Sequence, residues 1–208
     1  ERQAKIPIID VFRLYPKLDG QAVLVTNEYR LRSHNSALLQ GSILTTKELE
    51  TICGLAKCLH PKCVFEFGTH RGFTTYNLTL NVPPDCRVIT LDRNPIIEPP
   101  AVMAAGLQGI QIVTADSLTY DFSRLAGTVD LIFVDGGHDF DSVRSDSENA
   151  LRMVRPGGVV LWHDYSPMLP DVHRYLDELA SSVELKLLEG TSLAIYTKPF
   201  PVDCTSHV

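Results

Sequence analysis

Five short apolar runs recur along the chain, each of strand length: Cys63–Phe67, Arg87–Asp92, Ile110–Thr114, Val129–Asp135 and Gly157–Trp162. Each is followed by a polar or glycine- or proline-containing turn, and helical patterns separate several of them. This alternation constrains the fold more than any other feature. The run Val129-Asp130-Leu131-Ile132-Phe133-Val134 is apolar at all but one position, as a strand covered on both faces must be. Strands alternating with helices specify a doubly wound, Rossmann-like α/β sheet, mostly parallel, with helices on both faces.

The helical stretches carry their own signals. Thr45-Thr46-Lys47-Glu48 has capping-box spacing, and Leu49, Ile52, Cys53, Ala56 and Leu59 then repeat at helical intervals until Pro61. Further helices are predicted over about 74–80, at 101–105, from Phe140 to Val154, and from Pro170, which suits a first helical position. The last helix has Val172, Tyr175, Leu176 and Leu179 as its apolar face. The C-terminal end differs in kind. The runs 183–188 and 192–196 are joined only by Glu189-Gly190-Thr191, too short for a parallel crossover, so they form an antiparallel hairpin.

This reading divides the chain into an N-terminal extension over 1–40, one domain over 41–200 and a tail over 201–208. The extension holds the apolar runs Ile6-Pro7-Ile8-Ile9 and Ala22-Val23-Leu24-Val25 and a polar stretch with Arg30, Arg32, His34 and Asn35. It is expected to act as a lid, a packing segment or an arm that pairs copies into a homo-oligomer.

Composition removes several functions. With 25 acidic and 19 basic residues, net charge −6, and no long Lys/Arg run, the chain is not built to bind nucleic acid. No apolar run approaches the roughly 20 residues that span a bilayer. The five cysteines include no C-x-x-C pair, which argues against a zinc site or a disulfide framework and for reduced thiols in a cytoplasmic protein. Asn77-Leu78-Thr79 fits the glycosylation sequon but falls inside a predicted helix and is taken as a chance match.

In an open parallel sheet, ligands bind at the carboxyl ends of the strands. Four strand ends here carry groups that suit a nucleoside cofactor. Glu66-Phe67-Gly68-Thr69-His70-Arg71-Gly72 is a tight turn in which Gly68 and Gly72 permit close backbone approach. Its His70 stands where a dinucleotide fingerprint needs glycine, which disfavours a nicotinamide oxidoreductase. Asp92, followed by Arg93, is placed to accept hydrogen bonds from ribose hydroxyls. Asp116-Ser117 follows the third strand and also suits a helix N-cap. Asp135-Gly136-Gly137-His138 ends the fourth strand, where a carboxylate is costly to bury without a partner.

These motifs together resemble class I S-adenosylmethionine (SAM) methyltransferases. The loop is similar to their E-x-G-x-x-x-G turn. The run from Asp135 through His138, Phe140 and Val143 to Asp146, then Val154-Arg155-Pro156-Gly157-Gly158 and His163-Asp164-Tyr165, resembles a subgroup with D-G-x-H-x-[YF]-x-x-V-x-x-D, L-x-P-G-G and H-D-Y. The resemblance covers about 42–198 and implies a seven-stranded sheet ending in the antiparallel hairpin.

It also implies the site. Glu66, Gly68, Thr69, His70, Gly72, Asp92, Arg93, Asp116, Ser117, Asp135, Gly136 and His138 would bind the cofactor, with Asp116 at the adenine edge. By similarity to catechol-type and sugar O-methyltransferases, Asp135, His163 and Asp164 would hold a divalent cation such as Mg²⁺. His138 would be the general base, beside Asp135, for methylation of a small-molecule hydroxyl on a sugar, polyketide or phenol. A SAM-binding module without catalysis is the alternative.

Overall fold

The computed structural model describes residues 6–18, 23, 44–95 and 110–201. In chain order the elements are β1 (Ile8–Ile9), α1 (Val11–Leu14), α2 (Thr46–Leu59), β2 (Cys63–Phe67), α3 (Phe73–Thr79), β3 (Arg87–Asp92), β4 (Ile110–Thr114), β5 (Val129–Val134), α4 (Phe140–Met153), β6 (Val154–Trp162), α5 (Pro170–Leu179), β7 (Lys186–Leu188) and β8 (Ala194–Thr197). They build one eight-stranded sheet in the order β1-β7-β8-β6-β5-β2-β3-β4. Among the described residues, only β8 runs antiparallel, against β6 and β7; the other pairs are parallel.

The expected doubly wound sheet is therefore present, with one strand more than the seven implied. The extra strand is β1, from the apolar run Ile6–Ile9. It pairs with β7, Ile8 opposite Leu187, and the Leu187 and Glu189 amides donate to the Pro7 and Ile9 carbonyls. Part of the N-terminal 40 residues thus belongs to the sheet. The stretch from Arg30 to Asn35 and the short helix expected at 101–105 lie outside the described residues.

Two further boundaries moved. β6 begins at Val154 rather than Gly157, and its register with β5 shifts between Val129 and Leu131. Pro156 has no amide to give to a ladder, and Gly157 takes φ +74, so this end of the strand is irregular. The terminal strands are shorter than their apolar runs; Leu185 is buried without joining β7.

Alternation along the strands makes two cores, one on each face of the sheet. Phe65, Phe67, Ile132, Val134, Val160 and Trp162 face one side and pack with Val143, Met153 and Leu176 of α4 and α5. Val64, Leu131, Phe133, Val159 and Leu161 face the other and meet Leu49, Ile52 and Leu55 of α2 and Leu78 of α3. Each such side chain contributes about 1.5–3 kcal/mol on burial. Trp162 is core and satisfies its indole N–H on Ser147 Oγ at 2.9 Å. The capping box at α2 forms as read, Glu48 N donating to Thr45 Oγ1 and Thr45 N to the Glu48 carboxylate.

Cys53, Cys58, Cys63 and Cys86 are free thiols. The Asn77 side chain is buried and donates to the Phe73 carbonyl, in keeping with a chance sequon. No helix among the described residues is long and apolar enough to cross a membrane.

Candidate active site

The winding direction reverses between β2 and β5, which are hydrogen-bonded neighbours. Their carboxyl ends therefore form the switch-point crevice where such sheets bind ligands. Asp135 N donates to the Phe67 carbonyl at 3.0 Å, joining the two ends, and Gly68 N donates to the Leu91 carbonyl of β3 at 2.8 Å. Gly68 has φ +87, and a Cβ there would overlap the Asp135 carbonyl oxygen. Only glycine fits.

The loop after β2 uses three left-handed residues, Gly68, His70 and Gly72. His70, which breaks the usual glycine pattern, takes φ +46; its amide donates to Asp92 Oδ2 at 2.7 Å. Asp92 also accepts from Asn94 N at 2.8 Å, so its carboxylate closes the loop onto the end of β3. Each oxygen keeps a second lone pair for a ligand hydroxyl. Gly72 starts α3, and Thr69 is buried with its hydroxyl 2.6 Å from that of Thr90.

Glu66 lies beneath the loop. It is 1% exposed and accepts hydrogen bonds from the Thr75 and Thr90 hydroxyls, tying β2 to β3 and α3. Burial pushes its carboxyl up to about 8, against the pull of the two hydroxyls. Asp116 caps its turn by accepting from Leu118 N at 3.0 Å, with Arg93 at 3.5 Å. Ser117 lies near Asp146 and pulls the pKa of that carboxyl down.

Asp135, His138 and Asp164 come together at the ends of the adjacent strands β5 and β6. One ligand atom from each lies within 4.8 Å of the others. His138 Nε2 is 2.9 Å from Asp164 Oδ2, with the imidazole side chain 43% exposed and the carboxylate 10% exposed. The hydrogen bond to Asp164 raises the His138 pKa above its ordinary 6.5, outweighing burial. Asp164 is held at φ +66, a strained backbone for a non-glycine residue.

His163, expected as a third ligand, stands outside that group of three. Its ring is buried among carboxylates: Nδ1 lies 3.1 Å from Asp135 Oδ1 and 3.2 Å from Asp164 Oδ1, and Nε2 lies 3.6 Å from Glu48 Oε2. Burial alone would strip its proton, but these acceptors outweigh it and hold the pKa up at about 12. The same contacts, with Ser192 and Thr45, keep Glu48 well below the usual carboxylate range despite burial. Burial pushes the Asp135 carboxyl up, against the pull of His163.

Two residues of the site were not singled out from sequence. Glu48 was read only as a helix cap. Asp146, the final residue of the D-G-x-H motif, is 1% exposed; its carboxylate lies against Gly136, where a Cβ would come within 2.6 Å of Oδ2. Its Oδ1 accepts no hydrogen bond among the described residues, and burial pushes the group up to about 6. The signal was present: Asp146 shares a helix face with Val143, Ala150 and Met153, all buried. On the acceptor side, Tyr165 donates to Asp177 at 2.6 Å and stacks on His173, and Met168 is 89% exposed.

Residues 65–165 match the family model described as a methyltransferase domain. Catechol O-methyltransferase B of Danio rerio is 28% identical over 149 residues, 67% of this chain, and the match spans only 55% of that relative's length. Among solved structures, the SAM complex of the O-methyltransferase TomG from Streptomyces achromogenes aligns over 91% of this chain and 96% of its own, at 17% identity and TM-score 0.64. The SAH-bound methyltransferase PaMTH1 of Podospora anserina aligns over 95% and 99%, at 14% identity and TM-score 0.67. The residues matched by the family model run from β2 to the loop after β6 and include every strand end of the crevice. The sequence match is to a methyltransferase domain, and the solved structures share the fold of this chain.

Proposed function

We propose that this chain transfers a methyl group from SAM to a hydroxyl of a small molecule, a sugar, polyketide or phenol, with His138 as general base. The observation that carries this reading is the His138–Asp164 pair at 2.9 Å, half exposed at the rim of the crevice. That a curated relative is a catechol O-methyltransferase supports a hydroxyl acceptor.

Bound SAM supplies an electrophilic methyl group on its sulfonium. The chain supplies the rest. Asp92 would accept from the ribose hydroxyls, and Asp116, with Arg93 and Ser117 beside it, would meet the adenine edge. Thr69, His70 and Gly72 shape the loop between them, and Gly136 lines the opposite wall. Asp164 holds His138 by Nε2, leaving Nδ1 as the nitrogen that takes the acceptor's hydroxyl proton. Alignment of oxygen and methyl carbon does the remaining work.

The donor set also fits a divalent cation. Asp135 and Asp164 would hold it and leave the His138 lone pair to the acceptor proton; its charge would lower the pKa of an acceptor hydroxyl. Oxygen donors favour Mg²⁺ or Mn²⁺.

Calorimetry with SAM, SAH and NADH, followed by transfer assays on a panel of hydroxylated acceptors with and without EDTA, tests the proposal. SAM binding with transfer that His138→Ala lowers by about 10²–10⁴-fold is expected. NADH binding without SAM binding would overturn the reading. SAM binding without transfer to any acceptor would favour a non-catalytic module. Full activity after exhaustive EDTA, with no metal recovered, would remove the cation.

A further inference from the structure

Glu48 does more than cap a helix. A capping-box glutamate needs one oxygen for the N-cap amide and is ordinarily solvated. Here the side chain is 3% exposed and every oxygen is used. Oε2 accepts from Thr45 N and Oγ1, both at 2.8 Å. Oε1 accepts from Ser192 N at 2.7 Å and Ser192 Oγ at 2.8 Å, on the turn that leads into β8. The remaining contact, Oε2 to His163 Nε2 at 3.6 Å, points to the crevice.

His163 carries the connection onward, because its other nitrogen faces Asp135 Oδ1 at 3.1 Å and Asp164 Oδ1 at 3.2 Å. An imidazole held at one nitrogen can still swing about its Cβ–Cγ bond. Here the second nitrogen also faces a buried carboxylate, in an ion-pair contact of 3.6 Å that opposes this swing and favours one edge toward Asp135 and Asp164. The result is a brace that runs from the first turn of α2, through a buried ring, to the ends of β5 and β6. It leaves Asp164 Oδ2 turned outward to His138.

We propose that Glu48 is a positioning residue for methyl transfer: acting through His163, it sets the orientation of Asp135 and Asp164. This rests on the reading that those carboxylates and His138 are the reaction centre. A purely structural Glu48 would matter only as a cap and a tie to Ser192. Thr45 separates the two cases: Thr45→Ala removes the cap hydroxyl and its bond to Oε2, while Thr45 N and Ser192 still hold the Glu48 carboxylate beside His163.

The experiment uses the full chain labelled with ¹⁵N-histidine, in the wild-type, Glu48→Ala, Glu48→Gln and Thr45→Ala forms. Proton–nitrogen NMR follows the imidazole N–H signals of His163, and steady-state kinetics follow kcat and the KM for SAM. Wild type and Thr45→Ala are expected to show two protected ring N–H signals and the same kcat. Glu48→Ala is expected to lose the Nε2–H signal and about 10–100-fold in kcat, as outer-shell partners do, with the KM for SAM changed less than about twofold. Glu48→Gln keeps the side-chain shape and should retain part of both, and it carries the test if the alanine form does not fold. Unchanged His163 signals in either Glu48 variant would overturn the inference. So would equal losses of kcat in Glu48→Ala and Thr45→Ala. If wild type transfers no methyl group yet the His163 signals respond to Glu48, the reading of the centre fails and the brace remains as structure alone.

Discussion

Glu66 offers the sharpest check on the physical account of the cofactor loop. Its carboxyl is enclosed beneath the loop with only two hydroxyl donors, and burial pushes it up to about 8 from an ordinary 4.5. Below pH 4.5 the group is protonated folded or unfolded and has no effect on pH dependence. As pH rises, the unfolded chain releases the proton first while the folded chain keeps it. Stability therefore falls with pH from about 4.5 until the folded group also ionises near 8. A pKa raised to that extent corresponds to a loss of about 5 kcal/mol across the window, an upper figure because the denatured chain is not fully solvated. Glu66→Gln keeps the acceptor for Thr75 and Thr90 and cannot ionise. Its stability relative to wild type should improve by about 3–5 kcal/mol between pH 5 and pH 8.5. Urea unfolding of both proteins at half-unit pH steps measures this directly, and Asp146 and His138, which titrate in both, cancel in the difference. Parallel stability curves across the window would refute the reasoning and mean that Glu66 is ionised in the folded chain.

Other expectations concern the crevice and its supports. Because hydrogen bonding to Asp164 raises the His138 pKa and the base must be neutral, kcat/KM should fall as pH drops through a value above 6.5. Asp164→Asn should move that acidic limb downward and lower turnover by about 10²-fold, and an unmoved limb in a pH–rate profile would exclude the pair as base. Gly68→Ala places a Cβ on the Asp135 carbonyl at φ +87 and should cost about 3 kcal/mol or more in urea unfolding, since both obstacles are backbone. Asp130 accepts from the Lys62 and Cys63 amides and from Arg155 Nε at 2.5 Å, all beneath β2. Asp130→Ala should lower stability by about 2–4 kcal/mol, measured the same way, through stranded amide donors.

The sequence by itself determined the fold class, the order of the strands along the chain, the hairpin and the strand-end carboxylates. These are local properties: a strand covered on both faces needs a run of apolar residues, a three-residue connection cannot cross a sheet, and a capping box is read from four positions. Asp92, Asp116, Asp135 and Asp164 were legible because each follows directly on such a run. The tertiary structure alone decided what each carboxylate meets. Glu66 was legible because it borders the loop, but its burial and its bonds from Thr75 and Thr90 were not. His163 looked like a metal ligand, yet its ring is claimed by Glu48, 115 positions earlier, and by Asp135 on the neighbouring strand. β1 was an apolar run with no visible partner until β7 arrived beside it. Pairing between residues so far apart leaves no periodic trace in the chain, because it is set by which strand ends the sheet order makes neighbours.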